Sequence, residues 1–470
     1  MPNEGAQTPT TECIPQLDLN FQGRRVAVAF DAPTISSDGG VLLLRQVDDA
    51  IRLTESFASL LPDGRYEARV RHSRLEQLRQ RVYQICLGYE DCNDADWLRR
   101  DAALRLACGA EEAELSSQPT LSRFENSITG RELNSCWRTF ERQYVEGLDP
   151  ATPLVVLDID STDDPTHGAQ QLSFFHGFYG QHMFHPLLVF DAVSGQLVTA
   201  LLRPGKAHAA RGAATILDRL IRAIRCRCPD AAVVVRGDSA FAMPGLLARL
   251  ERLNAELGDV DYVIGLAKNP RLLALAEPLR ASVAEQFADT GRFVRRFEWI
   301  SYAADTWPVE RQVVVKVEHS GFGENPRFVV TTLGGFPPEL IYGAAFCPRG
   351  QSENFIKDLK NAIGADRLSC HRFVANAFRL FLHALAYRLF HALRATVARV
   401  APVSDPPDGP SLRLSTAQMD TLRLRLLKVA AHVVSSVRRV LVRLPASFPL
   451  APVFYAVSRA LSEPHLASSA

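Results

Sequence analysis

The sequence predicts an α/β protein: a mixed sheet flanked by helices, preceded by a mainly helical region and followed by a basic helical one. Three observations carry that expectation. Apolar runs of strand length end in acids, LVVLDIDST at 154–162 and AAVVVRGD at 231–238. Between them RGAATILDRLIRAIRCR, 211–227, has the apolar spacing of an amphipathic helix. Alternating runs follow at 292–307, 311–319 and 327–333. Strands interleaved with helices indicate an α/β core rather than a sandwich or a bundle.

Taken in order, residues 1–19 read as a disordered lead-in, and 22–33 and 39–45 as extended runs around the turn SSDGG. RLEQLRQRVYQICLG then turns helical and stops at Gly88, a natural C-cap. Asp94 opens DADWLRR, Asp101 opens DAALRLACG, and SQPTLSRFENSI is a further capped helix. Short helices, tight turns and many arginines suit a helix-turn-helix-like DNA-binding module over 20–145. They suit an ordinary helical scaffold equally well. HPLLVFDAVSGQLVTALLRPG is a hairpin turning at Asp191–Gly195, and YVIGLAKN is another strand. The core is expected over 146–270 and 336–395, interrupted by a β-rich insertion at 271–335. CPRGQSENFIKDLKN, 347–361, reads as an exposed helix, and Tyr387 falls in the apolar pattern of a buried one. After the break APVSDPPDGP, the Arg-rich stretch 422–444 reads as an amphipathic helical appendage within 396–470.

Composition narrows the chemistry. With 470 residues, 47% hydrophobic and 22% charged, the profile is that of a soluble globular protein of two or three structural units. The net charge of +1 gives no global attraction to nucleic acid, so any basic surface must be local. Nine cysteines without a paired CxxC suggest reduced thiols and a cytoplasmic setting. The N-terminus lacks the apolar core of a signal peptide, and the apolar stretch 374–393 is broken by Arg and His. GKA at 205–207 lacks the Gly and the Ser or Thr of a P-loop, so no nucleotide cofactor is expected.

Four carboxylates stand where an acid needs a reason. Asp158 and Asp160 alternate along one strand and point to the same side. Asp238 closes the next apolar run, and Glu353 lies on the segment 347–361. An acid at a buried strand end is costly unless it is hydrogen-bonded, paired or bound to a cation. Singly, each is a common turn or helix cap. Together they match the preference of Mg²⁺ for carboxylate oxygens, with phosphate and water completing its shell. His167, His176, His182 and His185 follow the first acids, but their spacing fits no zinc pattern.

LDIDSTDDPTHG, VVVRGDSAF, YVIGLAKN and RGQSENFIKDLKN, in this order, resemble the DDE transposases of bacterial insertion sequences, most of all the insertion-sequence thirteen-eighty type. GYEDCNDADWLRRD adds to the likeness, which runs from about residue 20 to 455. The resemblance implies an RNase H-like core with Asp160, Asp238 and Glu353 as catalytic and metal-ligating acids, assisted by Asp158. It implies two Mg²⁺ or Mn²⁺ ions. Its helix signature of Tyr, Arg, Glu and Lys reads here Phe346, Arg349, Glu353 and Lys360. Arg349, Lys357, Lys360 and Arg236 are then expected to hold DNA. Helical spacing agrees, since 349, 353 and 360 fall within an arc of about 40° on a regular α-helix. The implied partners are double-stranded DNA, as terminal inverted repeats and target, and a second copy of the chain. The implied place of work is the bacterial nucleoid. A non-catalytic DNA-binding derivative and a stand-alone metal-dependent nuclease are the competing readings.

Overall fold

The computed structural model describes residues 16–21, 24–29, 31–110, 113–400 and 414–462. The lead-in up to residue 15 and the break APVSDPPDGP lie outside them. A hairpin of β1 (Gln16–Phe21) and β2 (Arg24–Ala29) and the short β3 (Ile35–Ser36) open the chain.

Among the described residues seven α-helices follow: α1 (Val41–Ile51), α2 (Leu53–Ala58), α3 (Arg74–Leu87), α4 (Ala95–Leu98), α5 (Ala102–Cys108), α6 (Gln118–Ser127) and α7 (Gly130–Glu146). Their ends follow local chemistry. Ser73 and Asp101 accept from backbone N–H groups at the starts of α3 and α5, and Thr129 with Glu132 forms a capping box on α7. Gly88 ends α3 at φ +90°. The extended run expected at 39–45 is instead the start of α1. VLLL looks like a strand in isolation, but the buried set Val41, Leu43, Leu44 and Val47 has helical spacing. Gly40 is required there, because a Cβ would lie 2.1 Å from the Leu426 carbonyl oxygen.

The central sheet is mixed and eight-stranded. Its members are β4 (Leu154–Ser161), then β8 (Leu187–Asp191) and β9 (Leu197–Leu201), which follow a small sheet of β5 (Asp164–Pro165), β6 (Phe174–His176) and β7 (Gln181–Phe184). They continue with β10 (Ala232–Gly237), β11 (Val260–Leu266), β12 (Val294–Tyr302), β13 (Arg311–Ser320) and β14 (Gly323–Thr331). The spatial order is β12-β13-β14-β11-β10-β4-β8-β9, with β4, β10 and β11 parallel. Segment 271–335 thus holds most of two helices, α10 (Pro270–Leu275) and α11 (Glu277–Thr290), and three antiparallel strands that extend the sheet, β14 pairing with β11.

Helices α8 (Ala213–Arg227) and α9 (Pro244–Leu257) cover one face, packing on Leu157, Ile159, Val233 and Val235. The other face is covered by the 28-residue α14 (Phe373–Val400), reached through α12 (Pro338–Leu340) and α13 (Gln351–Lys357). One core joins Leu188, Phe190 and Leu197 of the sheet to α14 and to α1, α3 and α6. Tyr387 lies in it, fully buried, and its hydroxyl donates to the Gly195 carbonyl at 2.8 Å.

Beyond residue 414, α15 (Met419–Leu422) leads to β15 (Ala431–Ser436), β16 (Arg439–Arg443) and α16 (Ala451–Ser462). The amphipathic helix expected over 422–444 is thus largely a hairpin, with β15 paired to β3. HVVSS and RVLVR alternate with a period of two, and that strand pattern prevails. Among the described residues no helix is long and apolar enough to cross a membrane.

Candidate active site

Strand register creates the site. In the parallel pair β4–β10, Asp158 lies opposite Arg236 and Ile159 opposite Gly237, so Asp160 and Asp238 follow side by side at the strand ends. Gly237 lets the chain turn there, since a Cβ would come within 3.2 Å of Phe241 and Ile159 side-chain atoms. Asp238 then caps the next turn, its Oδ1 accepting from the Ala240 N–H at 2.9 Å.

Burial pushes the Asp160 carboxyl up to about 6, and the neighbouring Asp238 and Asp158 carboxylates add to the shift. Arg349 opposes it, donating from Nη1 to Asp160 Oδ2 at 3.2 Å. The two strand-end acids therefore share a site short of positive charge, the condition that favours a bound cation. Asp158 is used differently. It is fully buried and forms a bidentate pair with Arg236, at 2.6 Å to Nε and 2.8 Å to Nη2. Arg236 is only 5% exposed and also donates to the Ala345 carbonyl at 3.0 Å. These two expected site residues satisfy each other inside the sheet.

The segment 347–361 is not one regular helix. Residues Ile341–Phe346 form a wide π-turn, Cys347–Gly350 a tight 3₁₀ turn, Gln351–Lys357 the α-helix α13, and Asp358–Ala362 a second π-turn. The arc computed for a regular α-helix does not hold across these changes of pitch. Arg349 nevertheless reaches Asp160, and Lys360 Nζ reaches Asp163 Oδ1 at 2.8 Å and the Asp163 carbonyl at 3.0 Å. Glu353 and Lys357 are exposed, and Glu353 makes no ion pair or hydrogen bond with the described residues. Among the described residues no three of His, Cys, Asp or Glu are grouped to hold a metal ion. Asp160 and Asp238 thus offer neighbouring carboxylate oxygens, the donors a divalent cation takes, and no third acid among the described residues is grouped with them. Phe346 is half-buried, its ring 5.5 Å from that of Tyr342 and in van der Waals reach of the position a Gly265 Cβ would take.

Several residues at this end of β4 were not singled out from the sequence. Asp164 is 1% exposed with both carboxylate oxygens unpartnered, and burial, with Asp366 and Asp163 adding, raises its pKa far above the usual range. Lys360 outweighs burial at Asp163 and holds that carboxyl below its ordinary value. Tyr179, tilted against the His176 ring and edge-on to that of His185, has its hydroxyl pKa raised by burial and by Asp163, Asp160 and Asp238. The doublet Asp163–Asp164, directly after DIDST, was the available signal.

A family model described as transposase DDE domain group 1 matches residues 19–465. No curated protein matches the chain. Among solved structures, a cryo-EM piggyBac transposase synaptic complex with hairpin DNA is 10% identical, at a TM-score of 0.41, over 83% of this chain and 80% of that one. That likeness is too slight to carry an argument, but the family model spans nearly the whole chain. The protein belongs to the DDE transposases and is a DNA transposase by family.

Proposed function

We propose that the chain is the transposase of a bacterial insertion sequence, of the thirteen-eighty type, with an RNase H-like core. Cleavage at terminal inverted repeats would be followed by attack of the freed 3′ hydroxyl on target DNA. The observation that carries this reading is the in-register pair Asp160 and Asp238 at adjacent parallel strand ends, half-buried, where desolvation and the neighbouring carboxylates raise Asp160 despite Arg349.

In this reading Asp160 and Asp238 hold divalent ions, and Glu353 joins them from α13. When bound, Mg²⁺ or Mn²⁺ supplies Lewis acidity that activates water and the 3′ hydroxyl and stabilises the leaving oxygen. Arg349 keeps Asp160 oriented and offers positive charge beside it. The Asp158–Arg236 pair fixes the height of β4 against β10 and, through the Ala345 carbonyl, the start of the 347–361 segment. Lys360 ties that segment to the end of β4, and the exposed Lys357 is free to meet a phosphate. Helices within 20–145 serve as the DNA-binding region, and two copies pair the two ends of the element.

The test incubates the protein with inverted-repeat DNA, target plasmid and Mg²⁺. Joined product is expected, and Asp238→Asn should lower cleavage by at least roughly 100-fold, the upper end for disturbing even a metal site's outer partners. Glu353→Gln should do the same. Cleavage that survives either change overturns the acid assignment. Nicking without joined product indicates a nuclease, and binding alone a non-catalytic derivative.

A further inference from the structure

A large cleft lies away from the acids, among the N-terminal helices. It has a volume of about 810 Å³, and Arg65, Arg69, Arg71, Arg74, Arg99 and Arg123 line it, with no lysine. They come from the loop before α3, from α3, from the turn after α4 and from α6, so the fold gathers charge that is dispersed over sixty residues of sequence.

The local acids do not neutralise it. Asp63 holds Arg65 at 2.6 and 2.5 Å, and Glu114 is shared by Arg99 and Arg100. Arg74 lies over the Phe124 ring at 5.2 Å, with Asp63 no nearer than 3.9 Å. Arg69, Arg71 and Arg123 are exposed and make no ion pair with the described residues; Arg123 reaches only the Thr120 hydroxyl, at 3.3 Å. Ser117 and Thr120 add hydroxyl donors at the start of α6. In a chain whose net charge is +1, this is a strong local excess. Exposed Tyr66 directly follows Arg65, and exposed Trp97 lies two residues before Arg99.

We propose that this cleft binds the phosphate backbone of duplex DNA, at a site separate from the acids of β4 and β10. The proposal rests on the reading above that the chain acts on DNA. Guanidinium groups present planar forks that match phosphate oxygens in pairs, and an all-arginine lining selects that geometry over a point charge. Contacts to phosphate position a duplex without reading its sequence, so the cleft would set register while other side chains specify the repeat.

The full chain and its Arg69→Ala/Arg71→Ala/Arg123→Ala variant are compared for binding a labelled duplex of arbitrary sequence, without divalent ions, across a salt series. Each lost phosphate contact reduces the salt slope by about 0.9, so the triple variant should be shallower by about 3 and bind weaker at low salt. The corresponding Arg→Lys triple variant should retain the slope, since it keeps the charge. Unchanged slope and affinity in the alanine variant overturn the proposal. So does a loss of polyglutamate binding with DNA binding intact, which would indicate an acidic protein partner. Because none of the three arginines holds a structural ion pair, thermal midpoints should match the parent, and a fall in both midpoint and slope in the lysine variant also counts against the site. The measurement needs neither metal nor cleavage, so it fails independently of the acid-site assignment.

Discussion

Asp158 and Asp160 stand two residues apart on one face of β4, yet the fold treats them in opposite ways. Asp158 is sealed with a bidentate arginine, whereas Asp160 has one longer contact to Arg349 and an acid for a neighbour. The consequence for stability has a definite sign. The folded pKa of Asp160, about 6, lies above its ordinary value of 3.8, so the native state prefers the protonated form. Below about pH 4 the group is protonated in both states and costs nothing. As pH rises through 4 to 6, the unfolded chain releases its proton first, and stability is lost. Asp160→Asn removes that loss, so its advantage over the parent in metal-free buffer should be absent near pH 4. It should grow to at most about 3 kcal/mol above pH 7, from roughly two pK units of difference. Urea unfolding at the two pH values checks this; an advantage independent of pH would mean that the carboxyl is not the strained group. Mg²⁺ should stabilise the parent above pH 6 and leave the asparagine variant less affected, because a bound cation relieves the same shortage of charge.

At the scale of elements, what was legible in the sequence follows from how local its cause is. Strand ends that place acids, as in LVVLDID and VVVRGD, are visible because apolar runs and their terminators are neighbours in the chain. The same holds for Gly88 and the Asp101 cap. The π-turns at 341–346 and 358–362 have no such signal, which is why 347–361 was read as one regular helix. Helix α14 was legible as buried, but its partners were not. Arg81 of α3 and Glu125 of α6 are 0% and 1% exposed and bonded at 2.7 Å, with Arg379 of α14 at 3.9 Å from the same carboxylate. Three residues from distant parts of the chain form that network, and only the packing brings them together. Arg81 and Arg379, against the cost of burial, hold the Glu125 carboxyl below its usual range. Its stabilising effect is therefore present at neutral pH and fades as pH falls into the acid range. Glu125→Ala strands two buried cations and should cost about 3–5 kcal/mol at pH 7, read by urea unfolding. A cost below 1 kcal/mol would show that the three helices dock without it.

For the whole molecule, the decisive feature is that chain segments distant in sequence share one core. Read as sequence, residues beyond 396 were an appendage facing DNA or a partner. In the structure Leu414, Met419, Leu422, Leu426, Leu427, Leu450, Val453 and Val457 are buried in the same core as α1, α3 and α14. The backbone is committed as well: Gly39 and Gly40 N–H groups donate to the Val429 and Leu427 carbonyls at 2.7 and 3.1 Å, and β15 pairs with β3. Burying a side chain of this size contributes about 1.5–3 kcal/mol, so these eight together exceed about 10 kcal/mol. A typical domain holds only about 5–15 kcal/mol of net stability. A chain ending at residue 413 should therefore not keep a folded N-terminal region with a lost tail. It should fail as a unit, with little soluble product and no slow-exchanging amides in α1 or α3. A separable appendage would give the opposite result: soluble protein, native exchange protection in those helices, and DNA binding reduced only by the charges removed. Gly40→Ala tests the same junction without truncation, since its methyl group would collide with the Leu426 carbonyl. A thermal midpoint lowered by several degrees, with α3 exchange accelerated alongside α1, is the signature expected of one shared core.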